Sequence, residues 1–340
     1  MSDAKPLLDA LRGARRNPPP FWLMRQAGRY LPEYRSLRQK AGSFLNLCYT
    51  PELAAAVTLQ PIERFGMDAA ILFSDILVIA DALGRNLTFR DGDGPRLRPL
   101  SPGDELPVEL DQAKLAPVYA AIRLAKAKLP AKTALIGFAG GAWTVAAYMV
   151  EGAGKTGFTR ALDWAKRDPA GFGRIIDCLT AATIEHLSGQ IAAGAEAVQL
   201  FDSWAGLLDA KSFRRWVIEP TKKIVAALKQ RYPTALVIGF PRQAGSQYRA
   251  YAEATGVDAV SLDQDVGLAA AAELQRLRPV QGNLDPKLLV AGGAALDQAV
   301  RAIRVSLGTG PFVFNLGHGI LPETPIGHVE RLGQLLREDR

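Results

Sequence analysis

The run "AVQLFD" (197–202) is apolar without alternation, contains no Gly or Pro, and closes on a carboxylate. A strand with one face in water alternates apolar and polar residues. A continuous short run is expected of a parallel strand covered on both faces. The same kind of run recurs outward from it in both directions. Downstream lie "ALVIGF" (235–240), "AVSLD" (259–263), "VQGNL" (280–284) and "FVFNLG" (312–317). Upstream lie "TALIGF" (133–138), "AAILFS" (69–74) and "FWLMR" (21–25). Helical patterns fall between most of the eight: 51–65, opened by Thr50-Pro51-Glu52 with its cap and N1 proline, then 113–128, 169–192, 211–231, 246–255 and 294–306. A last helix over 325–338 follows Thr324-Pro325. Eight strand–helix units in sequence predict the α/β class and a (β/α)8 TIM-type barrel as one domain over residues 1–340. A doubly wound open sheet is the competing topology. "LTFRDGDGPRL" (87–97) interrupts the pattern and reads as a polar hairpin inserted after the second strand. Residues 1–17 are expected to be a flexible or loosely packed N-terminal segment.

The chain has 340 residues, of which 48% are hydrophobic, enough for a large core. No apolar run approaches the roughly 20 residues of a membrane helix. The nearest, "DAAILFSDILVIADALG", carries Asp68, Asp75 and Asp81. The segment "MSDAKPLLDALRGARR" has no apolar core of a secretory signal. Cys48 and Cys178 stand in no metal or redox spacing, so a reducing, cytoplasmic setting is expected. The net charge is +7, and the first forty residues hold nine Lys/Arg against three Asp/Glu. That surplus fits a solvated basic segment, a nucleic-acid arm or an electropositive pocket for an anionic small molecule. From Phe21 onward the arginines are interleaved with apolar and aromatic residues, which disfavours the arm.

"GAGKTG" (152–157) matches GxGxxG in form, but no strand precedes it, and Met149 stands where a Walker loop needs glycine. A loop joining two helices is the better reading. The barrel makes a sharper prediction, because catalytic side chains of such folds stand at the C-terminal ends of the strands. Those positions hold Arg25 and Arg29, Asp75, Asp202 and Ser203, Asn283 and Asp285, and His318 between two glycines. Each has a plainer reading: solvated arginines, Asp75 as a helix cap, His318 as a core histidine, Tyr148 as a half-buried packing residue. His186 and His328 lie within helical segments and read as structural. No His, Cys or carboxylate trio has a zinc-site spacing, and no GxSxG elbow surrounds Ser203.

Taken together and in order, "FWLMRQAGRYLPEYR", "FSDILV", "GFAGGAWTVAAYMVEG", "FDSWAG", "GFPR", "QGNLDP" and "FNLGHGILPETP" resemble the uroporphyrinogen decarboxylase family from about residue 6 to 335. The resemblance implies a single (β/α)8 barrel and a homodimer. It implies decarboxylation of the four acetates of uroporphyrinogen III to give coproporphyrinogen III and four CO2 in haem biosynthesis. No cofactor, metal, nucleic acid or membrane partner is implied. It puts substrate contacts at Arg25, Gln26, Ala27, Gly28, Arg29, Asp75, Tyr148, Ser203 and His318, with Arg38 as a further basic position. Asp75, Arg25 and Tyr148 are the implied catalytic set. Two departures from the family pattern stand out: Gly141-Ala142 where Ala-Pro is usual, and Gln243 where Gly usually follows "GFPR".

The implied chemistry suits these residue types. Arginine stays charged and can hold a carboxylate by two parallel hydrogen bonds, as a ligand with eight carboxylates requires. A protonated pyrrole can accept the electrons released by CO2 loss, so no cofactor sink is needed. A buried carboxylate, assigned to Asp75, would accept pyrrole N–H bonds and offset the ring cation. The alternatives are a corrinoid- or thiol-linked methyltransferase of the same barrel, and a non-catalytic tetrapyrrole-binding protein. The former needs a His-x-Cys zinc pair, and no Cys lies near any of the three His residues.

Overall fold

Seven of the eight apolar runs form one parallel sheet whose spatial order is the chain order. The computed structural model describes residues 5–90, 94–106, 109–154 and 157–338. Its strands are β1 (Ala69–Ile71), β2 (Thr88–Arg90), β3 (Gly94–Arg96), β4 (Ala134–Gly140), β5 (Ala197–Asp202), β6 (Leu236–Pro241), β7 (Ala259–Ser261), β8 (Val280–Leu284) and β9 (Phe312–Leu316). The sheet runs β1-β4-β5-β6-β7-β8-β9, while β2 and β3 pair with each other antiparallel. Residues 91–93, between those two strands in sequence, lie outside the described residues, as do Lys155 and Thr156 of "GAGKTG".

The eighth run does not make a strand. "FWLMR" contributes one parallel bridge, Phe21 to Phe314. Three consecutive prolines, 18–20, have no N–H to extend a ladder backwards, and Arg25 turns into the left-handed region at φ 59°. The segment still occupies the eighth position. On one side Phe314 N donates to Pro20 O (2.8 Å) and Trp22 N to Phe314 O (3.3 Å). On the other, Asp68 N donates to Phe21 O (2.9 Å), and Phe21 N donates to Asp68 Oδ2 (2.9 Å). The first and last strands of the sheet are thereby joined, which makes the fold TIM-barrel-like and removes the open doubly wound sheet.

The helices fall where the pattern placed them, among them Pro51–Phe65, Gln112–Lys128, Pro169–Ala192, Gln247–Ala254, Gly293–Leu307 and Ile326–Arg337. The 211–231 segment is continuous but contains a π turn over Arg214–Ile218. One apolar cluster fills the space between sheet and helices, and a second fills the barrel with Trp22, Met24, Ile136, Ile238 and Phe240. The expected loose N-terminus is corrected over residues 6–11. Pro6–Leu11 is a helix whose Leu7 and Ala10 are wholly buried in that second cluster. Lys5 fastens its start, donating to Thr133 O (2.9 Å) and Glu196 Oε2 (2.8 Å). No helix among the described residues is long and apolar enough to cross a membrane.

Candidate active site

Arg25 leaves the barrel wall on its left-handed turn, and its exposed side chain runs across Gly319. That contact joins the start of the chain to the loop after β9. The same two segments are linked through the backbone, Ile320 N donating to Met24 O (2.9 Å). His318 sits half-buried beside them. Burial, and then the positive charges of Arg25 and Arg242, push its imidazole down to about 3. His318 is therefore neutral near pH 7 and meets a ligand as a hydrogen-bonding group.

Asp75 lies just beyond β1, its Oδ1 accepting from Leu77 N (2.8 Å). The helix Val78–Ala82 begins three residues on, so the carboxyl braces the turn before it. Burial raises the Asp75 carboxyl above its usual range, against the opposing effects of the Leu77 N–H and of Arg25. Tyr148 stands on the helix Ala142–Glu151. Burial raises its phenol pKa as well, and both Asp75 and Arg25 act on it. Arg25 is thus the common neighbour of Asp75, Tyr148 and His318. Gly154 and Phe158 pack on Tyr148: a Cβ on Gly154 would lie 3.3 Å from the Tyr148 ring, and Phe158 meets that ring edge-on at 5.3 Å.

Ser203, half-buried, follows β5 and the buried Asp202. Asp202 Oδ1 accepts from Thr144 N (3.2 Å) and from Thr144 Oγ1. Trp204 N in turn donates to Thr144 Oγ1 (3.1 Å), and Trp143 Nε1 to Trp204 O (2.9 Å). This lattice fixes the loop of Ser203 to the helix of Tyr148. Burial lifts the Asp202 carboxyl to about 7, with the two Thr144 bonds opposing.

The remaining expectations divide. Arg29 is exposed, and Arg35 braces the loop, donating to Arg29 O (2.8 Å) and Tyr30 O (3.2 Å). Arg38 lies half-buried on the helix Pro32–Ala41, where its charge reaches Tyr34 and Cys48. Ala27 packs on the core and Gly28 lies against Arg25 O, where a Cβ would come to 3.1 Å. Gln26 is corrected. Its side chain is wholly buried, accepting from Leu23 N (3.0 Å) and donating to Ala69 O (3.0 Å), and its own backbone N–H and C=O are bonded to Leu23 O and Tyr30 Oη. It is a strut between the Arg25 turn and β1. Asn283 and Asp285 likewise turn to bracing: Asn283 Nδ2 donates to Asp263 O and Val266 O, and Asp285 caps Pro286–Ala291. His186 is held between Tyr119 Oη and Gln190 Nε2, and His328 against Leu289 O, both away from the mouth. One residue at a strand end was not singled out: Arg242, directly after β6.

Among the described residues, Arg25, Arg29 and Arg242 form no ion pair, whereas Arg64, Arg231 and Arg331 are tied to Glu33, Glu185 and Asp297. Cations left unpaired around one mouth are what an anionic ligand requires. The family model for "Uroporphyrinogen decarboxylase (URO-D)" matches residues 2–338. The chain belongs to the uroporphyrinogen decarboxylase family. A protein named uroporphyrinogen decarboxylase from Sphingopyxis alaskensis is 56% identical over 335 residues, covering 98% of each chain. One from Chelativorans sp. is 54% identical over 337 residues, again 98% of each. Among solved structures, a methyltransferase from Methanosarcina mazei superposes with a TM-score of 0.76 at 19% identity, over 97% of this chain and 96% of its own. At that identity it speaks for the fold alone. The two departures from the uroporphyrinogen decarboxylase pattern have local structural correlates. A Cβ on Gly141 would stand 2.4 Å from Asp202 Oδ2, so the buried carboxyl takes the space of a methyl group. Gln243 has φ 59°, a conformation glycine adopts without strain.

Proposed function

We propose that this chain is a cofactor-independent carboxy-lyase that converts uroporphyrinogen to coproporphyrinogen. The carrying observation is the group at the end of β1. A half-buried carboxyl, Asp75, shares one positive neighbour, Arg25, with a phenol, Tyr148, and a neutral imidazole, His318. In this reading Arg25, Arg29 and Arg38 take side-chain carboxylates of the substrate, and Ser203 and His318 bind others by hydrogen bonds. Asp75 accepts pyrrole N–H bonds, and Tyr148 stays protonated and orients the carboxylate or the ligand.

Each acetate then reacts in the same way. Protonation of the adjacent ring carbon makes the pyrrole an iminium-like cation. The bond from the acetate methylene to its carboxylate breaks, CO2 leaves, and the bonding pair flows into the ring. A proton adds to the methylene carbon to form methyl, and the ring carbon gives up the proton it gained. The net change per acetate is one proton consumed and one CO2 released. An ionised Asp75 in a site shielded from water stabilises the cation where it forms. Homodimerisation and a cytoplasmic setting belong to the same reading, supported by the family and by cysteines, Cys48 and Cys178, that stand outside any disulfide. The test is anaerobic incubation with chemically reduced uroporphyrinogen, no cofactor or metal added, and chromatography of the oxidised products. Stepwise loss of four carboxyls is expected. An unchanged octacarboxylate would overturn the assignment.

A further inference from the structure

Arg242 is held between two loops. Its N donates to Asp202 O (3.1 Å), and its O accepts from Gly206 N (3.1 Å), which ties it to the loop after β5. The next residue, Gln243, donates its N–H to Asp263 Oδ2 (2.6 Å) on the loop after β7. Asp263 is buried and itself fixed, accepting from Tyr248 Oη (2.8 Å) and from Asp265 N (3.0 Å). A Cβ on Gly206 would come within 2.6 Å of Gln243 Cβ, so the two loops are in direct contact. This is a rigid mounting for one side chain.

What it mounts is incomplete. Arg242 Nε is buried and has no hydrogen-bond partner. Its guanidinium forms no ion pair among the described residues, although three carboxylates, Asp202, Asp263 and Asp265, lie on the neighbouring loops. A buried donor left without an acceptor is unfavourable and rare in folded proteins. The solvated surface arginine is therefore the wrong comparison. The charges of Arg25, in the segment between β9 and β1, and of Arg242, directly after β6, both reach His318.

We propose that Arg242 is a specificity-determining residue, a second carboxylate clamp that grips one substrate carboxylate on the opposite side of His318 from the one held by Arg25. The proposal rests on the tetrapyrrole reading above. Two clamps flanking a neutral imidazole suit a ligand whose carboxylates ring a macrocycle, and an arginine can take one of them by two parallel hydrogen bonds.

The test compares wild type with Arg242→Gln and Arg242→Lys. It reads kcat and KM for uroporphyrinogen, and Kd for coproporphyrinogen, measured anaerobically by fluorescence. Circular dichroism checks the fold of each variant. Arg242→Gln is expected to raise KM and Kd by about 10- to 100-fold with kcat within a few-fold, the usual consequence of losing a charge-assisted contact. Arg242→Lys keeps the charge without the fork and recovers part of the loss; it also decides the matter if Arg242→Gln does not fold. Unchanged KM and Kd in an active enzyme overturn the clamp and leave the decarboxylase reading standing. A wild type that binds the tetrapyrrole but releases no CO2 overturns that reading, and the Kd comparison still decides Arg242. A wild type that binds neither tetrapyrrole overturns both.

Discussion

Arg25 lies across Gly319 so closely that a Cβ there would stand 2.4 Å from Arg25 Cδ and 2.8 Å from its Cγ. The φ of Gly319 is not in the left-handed region, and the three nearest atoms that a Cβ would meet all belong to Arg25. The empty space is there for the arginine. Gly319→Ala must therefore push a flexible, exposed side chain aside while leaving backbone and core in place. We expect kcat/KM for uroporphyrinogen to fall about 10- to 100-fold, the scale of a misplaced positioning group, with little change in thermal stability. Unaltered kinetics would mean that the placement of Arg25 is not used.

Asp75→Asn isolates charge from shape. Asparagine Oδ1 can still accept from Leu77 N, so the turn before Val78–Ala82 is kept. What disappears is the negative charge that the proposed mechanism sets against the ring cation. Removal of one preorganised electrostatic partner costs about 3–4 kcal/mol of transition-state stabilisation. The expected result is a kcat lowered by roughly two to three orders of magnitude with coproporphyrinogen binding retained. The pH profile of the wild type carries a second sign. Burial raises the Asp75 carboxyl, so kcat/KM should fall on the acid side at a pH above the ordinary aspartate range, and this limb should be absent in the variant. Near wild-type turnover would remove Asp75 from the mechanism.

Much of the architecture was legible because its signals are local. A continuous apolar run such as 197–202 needs only burial on both faces to be read as a strand, and β5 has those bounds. The first run misled for an equally local reason. "FWLMR" is as apolar as the others, but three prolines before it and the left-handed Arg25 after it leave room for a bridge and no ladder. The helix Pro6–Leu11 was hidden because its burial comes from the barrel floor, which the segment's own sequence cannot reveal. At the site, strand ends pointed to Asp75, Ser203 and His318 by rule, and the same rule applied to "GFPR" reaches Arg242. Gln26 shows the limit: it sits between two arginines in sequence, and only its hydrogen bonds to Leu23 and Ala69 reveal that it faces inward.

Gln243→Gly tests the strain at the turn that mounts Arg242. A non-glycine residue in the left-handed region costs about 1–2 kcal/mol, and the extra freedom of glycine in the unfolded chain takes back about 0.4–1 kcal/mol. Gln243 is exposed and its side chain makes no hydrogen bond among the described residues, so little else is lost. Stability to denaturant should rise by about 0.5–1 kcal/mol, with the urea m-value unchanged. A destabilised variant would show that the glutamine side chain contributes more than its backbone conformation costs.

Asp202→Asn should change stability in a pH-dependent way. The carboxyl is 3% exposed, and its pKa is raised from 3.8 to about 7 by burial. Between those values the folded protein holds a proton that the unfolded chain has released. The stabilisation from that proton is fully present below the unfolded value and is lost as pH rises through about 7. Asparagine does not titrate, and its Oδ1 can still accept from Thr144 N and Oγ1. The stability of the variant relative to wild type should therefore improve with rising pH, by at most about 1.4 kcal/mol per pH unit between about pH 4 and 7, and level off above that. The two imidazoles lowered to about 3, buried His186 and half-buried His318, are common to both proteins, so their acid destabilisation cancels in the difference. Urea unfolding of both proteins from pH 4.5 to 8.5 reads the slope directly. A difference that does not vary with pH would place the Asp202 carboxyl in its ordinary range, and the link between Ser203 and Tyr148 would then rest on an ion at every pH.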